Sequence, residues 1–217
     1  MLRKISTSLV LLAYATSAVA DAPKAPLSLK PTSAWHVDYA DDRCRLGRQF
    51  GAGDDLVFAF FDRYGPEESF RLTLAGKPVR VSLDQGEASV QFGPAEVEQK
   101  FAFFKGNLAE RTAIVFSSGE RIGPLTEDER QKRDSAKPED TRTLEPISPE
   151  RKKAVRFLKI GRPLRNEVML ETGSMNGPLK ALDTCIDNLM TVWGVDVERH
   201  RTLSRWVRPA NNPGQWI

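Results

Sequence analysis

The residues of this 217-residue chain whose types could do chemistry are few: two cysteines, two histidines and some paired acids. Cys44 and Cys185 form no C-x-x-C pair, and nothing near either obviously lowers a thiol pKa, which argues against catalytic redox work. In an oxidising compartment two cysteines most economically form one disulfide, closing a very long loop worth roughly 4–5 kcal/mol of chain entropy. The alternative is two buried free thiols acting as small apolar groups. His36 and His200 stand in no metal-spaced cluster and beside no obvious nucleophile. Period-two alternation turns His36 outward on a strand, and His200 lies in a basic segment. Each reads as solvated or singly hydrogen-bonded.

Asp41-Asp42 and Asp54-Asp55 could in principle hold Ca²⁺, but they lack the D-x-D-x-D-G spacing and the closing glutamate of an EF-hand loop. Turn capping and solvation explain them more simply. Gly51-x-Gly53 has neither the Rossmann spacing nor a following helix, so a nucleotide site is not supported. Ser117-Ser118 and Ser174 lack a G-x-S-x-G context. No cofactor or metal is implied. A hydrolase assembled from scattered acids is the least favoured reading.

The elements that must position these residues are mostly strands. Trp35 to Tyr39 alternates with period two, which puts Trp35, Val37 and Tyr39 on one face. Cys44 to Phe50 alternates as well, with Cys44, Leu46 and Phe50 inward. A turn at Gly51–Asp55 and the apolar run Leu56 to Phe61 complete a hairpin with a buried second strand. Phe70 to Leu74, a Gly-Pro turn at 75–78 and Val79 to Leu83 predict a second hairpin. Ala88 to Phe92, Lys100 to Lys105 and Arg111 to Phe116 supply three more strands. Strands at this spacing, with no helices between them, predict an antiparallel sandwich or open barrel.

Residues 121–150 read as a polar linker, with a solvated helix around 127–136. Ser148 and Pro149 open a short helix at 151–157. Glu167 to Leu170 is a late strand. The clearest helix runs over 176–193, with Met175, Leu179, Leu182, Ile186, Leu189, Met190 and Trp193 in one stripe and Gly194 as its stop. Cys185 sits at the edge of that stripe, so a bridge to Cys44 would staple helix to sheet. The fold class is therefore α+β, an antiparallel β-sheet or sandwich with one long C-terminal helix packed on it. The β region spans 34–120, and the late strand and helix 151–196.

The compartment follows from the first twenty residues. Arg3 and Lys4, an apolar stretch from Ile5 to Ala15 and the small-x-small Ala18-Val19-Ala20 make the layout of a cleaved signal peptide. The mature chain would start near Asp21 with a flexible lead-in over 21–33, and would work in the periplasm. The formal net charge of +3 falls to +1 without Arg3 and Lys4. It hides a split, because residues 21–150 carry 18 basic and 23 acidic side chains and residues 151–217 carry 12 and 6. Such a basic end suits an acidic partner, an anionic lipid surface or the acidic half of the same chain. Nucleic acid is a poor partner, since no recognition motif accompanies the charge. The basic tail at 197–217 concentrates the contact candidates Arg199, Arg201, Arg205, Trp206 and Arg208.

Three segments, WHVDYADDRCRLGRQFG at 35–51, FRLTLAGKPV at 70–79 and ETGSMNGPLKALDTCIDNLMTVWGVD at 171–196, resemble a periplasmic N-terminal region of Gram-negative energy-transducer-like proteins. There it precedes a TonB-type C-terminal domain, a module that pairs with a receptor segment by strand addition. That module is absent from this sequence, whose resemblance stops with the NPGQW segment at 212–216. The resemblance implies a non-enzymatic periplasmic interaction domain with an envelope protein as partner, and carries no catalytic residues. The alternative is a small-ligand or inhibitor-type binding module using the concave face of the sheet.

Overall fold

The computed structural model describes residues 25–117, 119–123 and 147–196. The signal segment expected at 1–20, the solvated helix expected near 127–136 and the tail with Arg199, His200, Arg201, Arg205, Trp206 and Arg208 lie outside the described residues. The described residues form ten strands: β1 Leu27–Leu29, β2 His36–Tyr39, β3 Cys44–Phe50, β4 Val57–Arg63, β5 Arg71–Gly76, β6 Gln85–Phe92, β7 Gln99–Leu108, β8 Arg111–Phe116, β9 Leu158–Ile160 and β10 Val168–Leu170. Among the described residues two α-helices join them, α1 Pro149–Ala154 and α2 Asn176–Val192. All strands belong to one sheet in the order β1-β10-β9-β6-β7-β8-β5-β4-β3-β2. Every pairing is antiparallel except β1 with β10. The architecture is thus α+β, a large mixed sheet with the C-terminal helix packed on it.

Some local expectations need correction. Leu27–Leu29 belongs not to a flexible lead-in but to an edge strand, where Leu27 stands opposite Val168 and Leu29 opposite Leu170. Leu29 is buried and Leu27 packs against the same core. The hairpin expected over 70–83 does not form. The chain after β5 turns through a 3-10 segment, Lys77–Val79, and β5 pairs with β4 and β8 instead. Pro78 sits inside that segment, where a fixed φ suits a helical turn better than a hairpin rung. Gly76 comes so close to the backbone of Leu56 that a Cβ would stand 2.2 Å from its carbonyl oxygen. Val79, at the end of the 3-10 segment, and Val81, just beyond it, still reach the core.

The sheet curls. The chain leaving β1 crosses to the opposite margin, where Thr32 N–H donates to Gln49 O and Gly51 N–H donates to Lys30 O. Its inner face is continuous across the strands: Leu46, Phe61 and Leu72 share one rung, and Ala59, Leu74 and Ile114 the next. Phenylalanines link the rungs, edge-on from Phe61 to Phe70 (5.0 Å) and Phe70 to Phe92 (5.9 Å), tilted from Phe92 to Phe101 (6.2 Å), and edge-on again from Phe101 to Phe116 (6.0 Å). Such off-stacked contacts favour the positive ring edge against the negative ring face.

Helix α2 covers this inner face with Leu179, Leu182, Cys185, Ile186, Leu189 and Met190, all buried. Its spacing of three and four residues is what keeps them on one side. The helix ends in a Schellman closure, with Gly194 at φ 72° and Val195 N–H donating to Met190 O. Trp193 falls outside the expected stripe and is half exposed, its indole N–H donating to Asp41 O. Helix α1 is capped by Ser148, whose hydroxyl accepts from the Arg151 N–H, with Pro149 in the first turn.

Candidate interaction face

The disulfide expected from the sequence is present: Cys44 of β3 is bonded to Cys185 of α2, with Cα atoms 6.0 Å apart and both residues fully buried. It fastens the helix to the inner face, and a second tie lies close by. Arg63, buried at the end of β4, donates to Asp183 of α2 and to Pro66 O. Lys152 of α1 pairs with Glu68 at 2.6 Å, and Glu68 also accepts from the Ile147 N–H. Burial alone would raise the Glu68 carboxyl, yet Lys152, the Ile147 amide and Arg121 together hold it below the usual range. This cluster joins two helices to one strand and leaves a space of only about 10 Å³ among its side chains. It is structural.

The other side of the sheet is different. Because side chains alternate, every strand that sends one apolar set inward sends its neighbours outward. In β4 those neighbours are Phe58 and Phe60, half-buried and stacked at 6.2 Å with planes 12° apart. Strand register continues the row: Phe60 faces Thr73, Thr73 faces Val115, and Val115 faces Phe104. Phe104 is 49% exposed. The adjacent row runs from Phe58 to Ala75, Ala113 and Gly106. Gly47, opposite Phe60, gives the ring its seat: a Cβ there would lie 3.0 Å from the Phe60 ring. No described helix packs on this side.

Arginines frame the apolar rows. Arg45 lies over Phe60 at 4.8 Å, Arg111 over Phe58 at 5.2 Å, and Arg71 over Tyr64 at 5.2 Å. Arg45 also grips the buried carboxylate of Asp62 through two bonds, at 2.6 and 2.9 Å. That hydrogen bond raises the Arg45 pKa above its usual value. Arg71 donates to the Tyr64 hydroxyl, and neither Arg71 nor Arg111 meets a described carboxylate. At the Arg71 end the face opens into a cleft of about 360 Å³ lined by Asp62, Tyr64, Glu67, Ser69 and Arg71. Next to its Gly119, burial pushes the Glu120 carboxyl up to about 7.

The remaining candidates occupy ordinary positions. His36 is exposed on the edge strand β2. Asp42 pairs with Arg43, and Asp54, in the 3-10 turn Gly53–Asp55, pairs with Lys77 at 2.6 Å. Lys77 holds the Asp54 carboxyl below its usual range. Ser174 precedes α2 without joining a base or an acid to make a triad. Among the described residues no group of three or more His, Cys, Asp or Glu converges as a metal site, and no helix is long and apolar enough to cross a membrane.

The outer face is hard to find from the sequence for a definable reason. The run Leu56 to Phe61 reads as one buried strand, but apolar residues at successive positions must serve both faces of a sheet. Phe58 and Phe60 were the signal. Comparison with protein-family models, with curated proteins and with solved structures finds no match to this chain.

Proposed function

We propose that this chain is a non-enzymatic interaction domain of the periplasm, which binds an envelope protein through the outer face of its sheet. The observation that carries the reading is the outward-facing Phe58, Phe60, Val115 and Phe104 surface framed by Arg45, Arg71 and Arg111. Aromatic residues and arginine are what protein interfaces concentrate, and lysine is what their centres lack. The Cys44–Cys185 bridge supports an oxidising compartment, as does the signal-like start of the sequence. The association with TonB-type systems rests on the resemblance of segments 35–51, 70–79 and 171–196. The basic tail remains a second contact surface in this reading.

Capture from the native envelope after chemical crosslinking tests the face. Phe104→Ser should lose the captured partner, while Val192→Ser, on the exposed side of α2, should keep it. Equal capture by both variants would overturn the assignment.

A second reading, a small-ligand module, has one observation in its favour. The concave face is filled by the core and α2, but the cleft beside Tyr64 and Arg71 is open. A thermal-shift panel with and without Arg71→Gln tests it. Stabilisation by a small anion or sugar that the variant abolishes would support this module over protein capture.

A further inference from the structure

The charges around the outer face specify more than its location, and the inference drawn from them rests on reading that face as the binding surface. Arg111 stands two residues before Ala113, which faces Ala75, so Arg111 lies level with position 77 and six residues along from Arg71. At about 3.3 Å per residue that separates the two arginines by about 20 Å along the strand direction. Between them lie only the two apolar rows, centred on Phe58, Phe60, Val115 and Phe104. Asp62, which also stands opposite Arg71 in register, is held by Arg45 through two bonds, whereas neither Arg71 nor Arg111 forms an ion pair with a described residue, so the positive charge left open to a partner lies toward the two ends.

We infer that the occupant of this face is a protein segment with an apolar centre and carboxylates toward both ends, spaced about 20 Å apart to meet Arg71 and Arg111. Carboxylates elsewhere in the segment would face rings and gain nothing, while lysines at its ends would meet like charge. A second copy of this chain would bring arginines against arginines on much of the face. Phe58 and Phe60 are also half-buried, with Arg111 and Arg45 over their rings, which suits a protein contact better than anchoring in lipid.

A photo-crosslinking residue at position 104 of the full chain, irradiated in native cells and followed by mass spectrometry of the adduct, tests this. The expected adduct is a partner peptide with an apolar run bounded on both sides by Asp or Glu. Arg111→Glu should reduce its yield at least ten-fold, and raising salt should reduce it further. Arg71→Glu should act alike, with Arg71→Gln as the milder variant if the contact to Tyr64 matters for folding. An adduct to lipid, to a second copy of the chain, or to a segment without flanking acids would overturn the inference. So would full yield with Arg111→Glu. If Phe104→Ser still loses its captured partner while Arg111→Glu does not, the face stands and the charge pattern fails. If position 104 yields no adduct, both fail.

Discussion

Removing the Cys44–Cys185 bridge is the sharpest test of how the helix is held. The bond closes a loop of 141 residues. The chain-entropy relation gives about 17 cal/mol/K for a loop of that length, or about 5 kcal/mol at 25 °C. The native state keeps much of its own cohesion without it, since six α2 residues are buried and Asp183 is paired with Arg63. The reduced protein should therefore remain folded but lose most of that stabilisation, about 5 kcal/mol. Urea unfolding with a slope of about 2 kcal/mol/M would place the midpoint about 2–3 M lower. The assay compares oxidised protein, reduced protein and the Cys44→Ala/Cys185→Ala variant, each with its slope fitted. Reduced protein and double variant should agree to within about 1–2 kcal/mol, the difference being the two small buried groups removed. A midpoint that moves less than about 0.5 M, on a slope of that size, would refute the stapling argument.

Other perturbations separate the face from the fold. Asp62→Ala leaves Arg45 without its carboxylate at a site where Asp62 is only 2% exposed, and should cost about 3 kcal/mol in chemical unfolding. Gly47→Ala forces a methyl against the Phe60 ring from 3.0 Å, so partner capture should fall several-fold while the unfolding midpoint moves little. Glu120 has a folded pKa of about 7 against an ordinary value of 4.5. The unfolded state thus loses its proton first, and stability from this group falls as pH rises from about 4.5 to 7. Because Glu120 is half exposed, screening reduces the effect to on the order of 1 kcal/mol. Glu120→Gln should remove that slope, seen as a variant that gains on wild type as pH rises through that window, with parallel curves refuting it.

Local periodicity made much of the architecture legible. The strands at 44–50, 88–92 and 111–116, the helix at 176–193 and the inward set Cys44, Leu46 and Phe50 follow directly from spacing. Longer-range choices did not. Nothing between Leu74 and Val79 reveals that β5 takes β8 as its second neighbour, because pairing is decided by which apolar rows the curled sheet brings level. Short strands were also hard to read. Leu27–Leu29 has only three residues, and its Leu-Ser-Leu alternation is indistinguishable from a lead-in until β10 stands beside it. The candidate face was hidden for the opposite reason, since a run as apolar as Leu56 to Phe61 masks its own two-sidedness. Charge offered a partial view, because the arginines that frame the face come from β3, β5 and β8 and share no local motif.

The measurement that bears most directly on the outer face is backbone amide mapping of the isotope-labelled full chain, titrated with the captured partner. Shifts should concentrate at Phe58, Phe60, Thr73, Phe104 and Val115 and fade along α2. Shifts confined to α2, or to the edge strand β2, would contradict the assignment of this face as the binding surface.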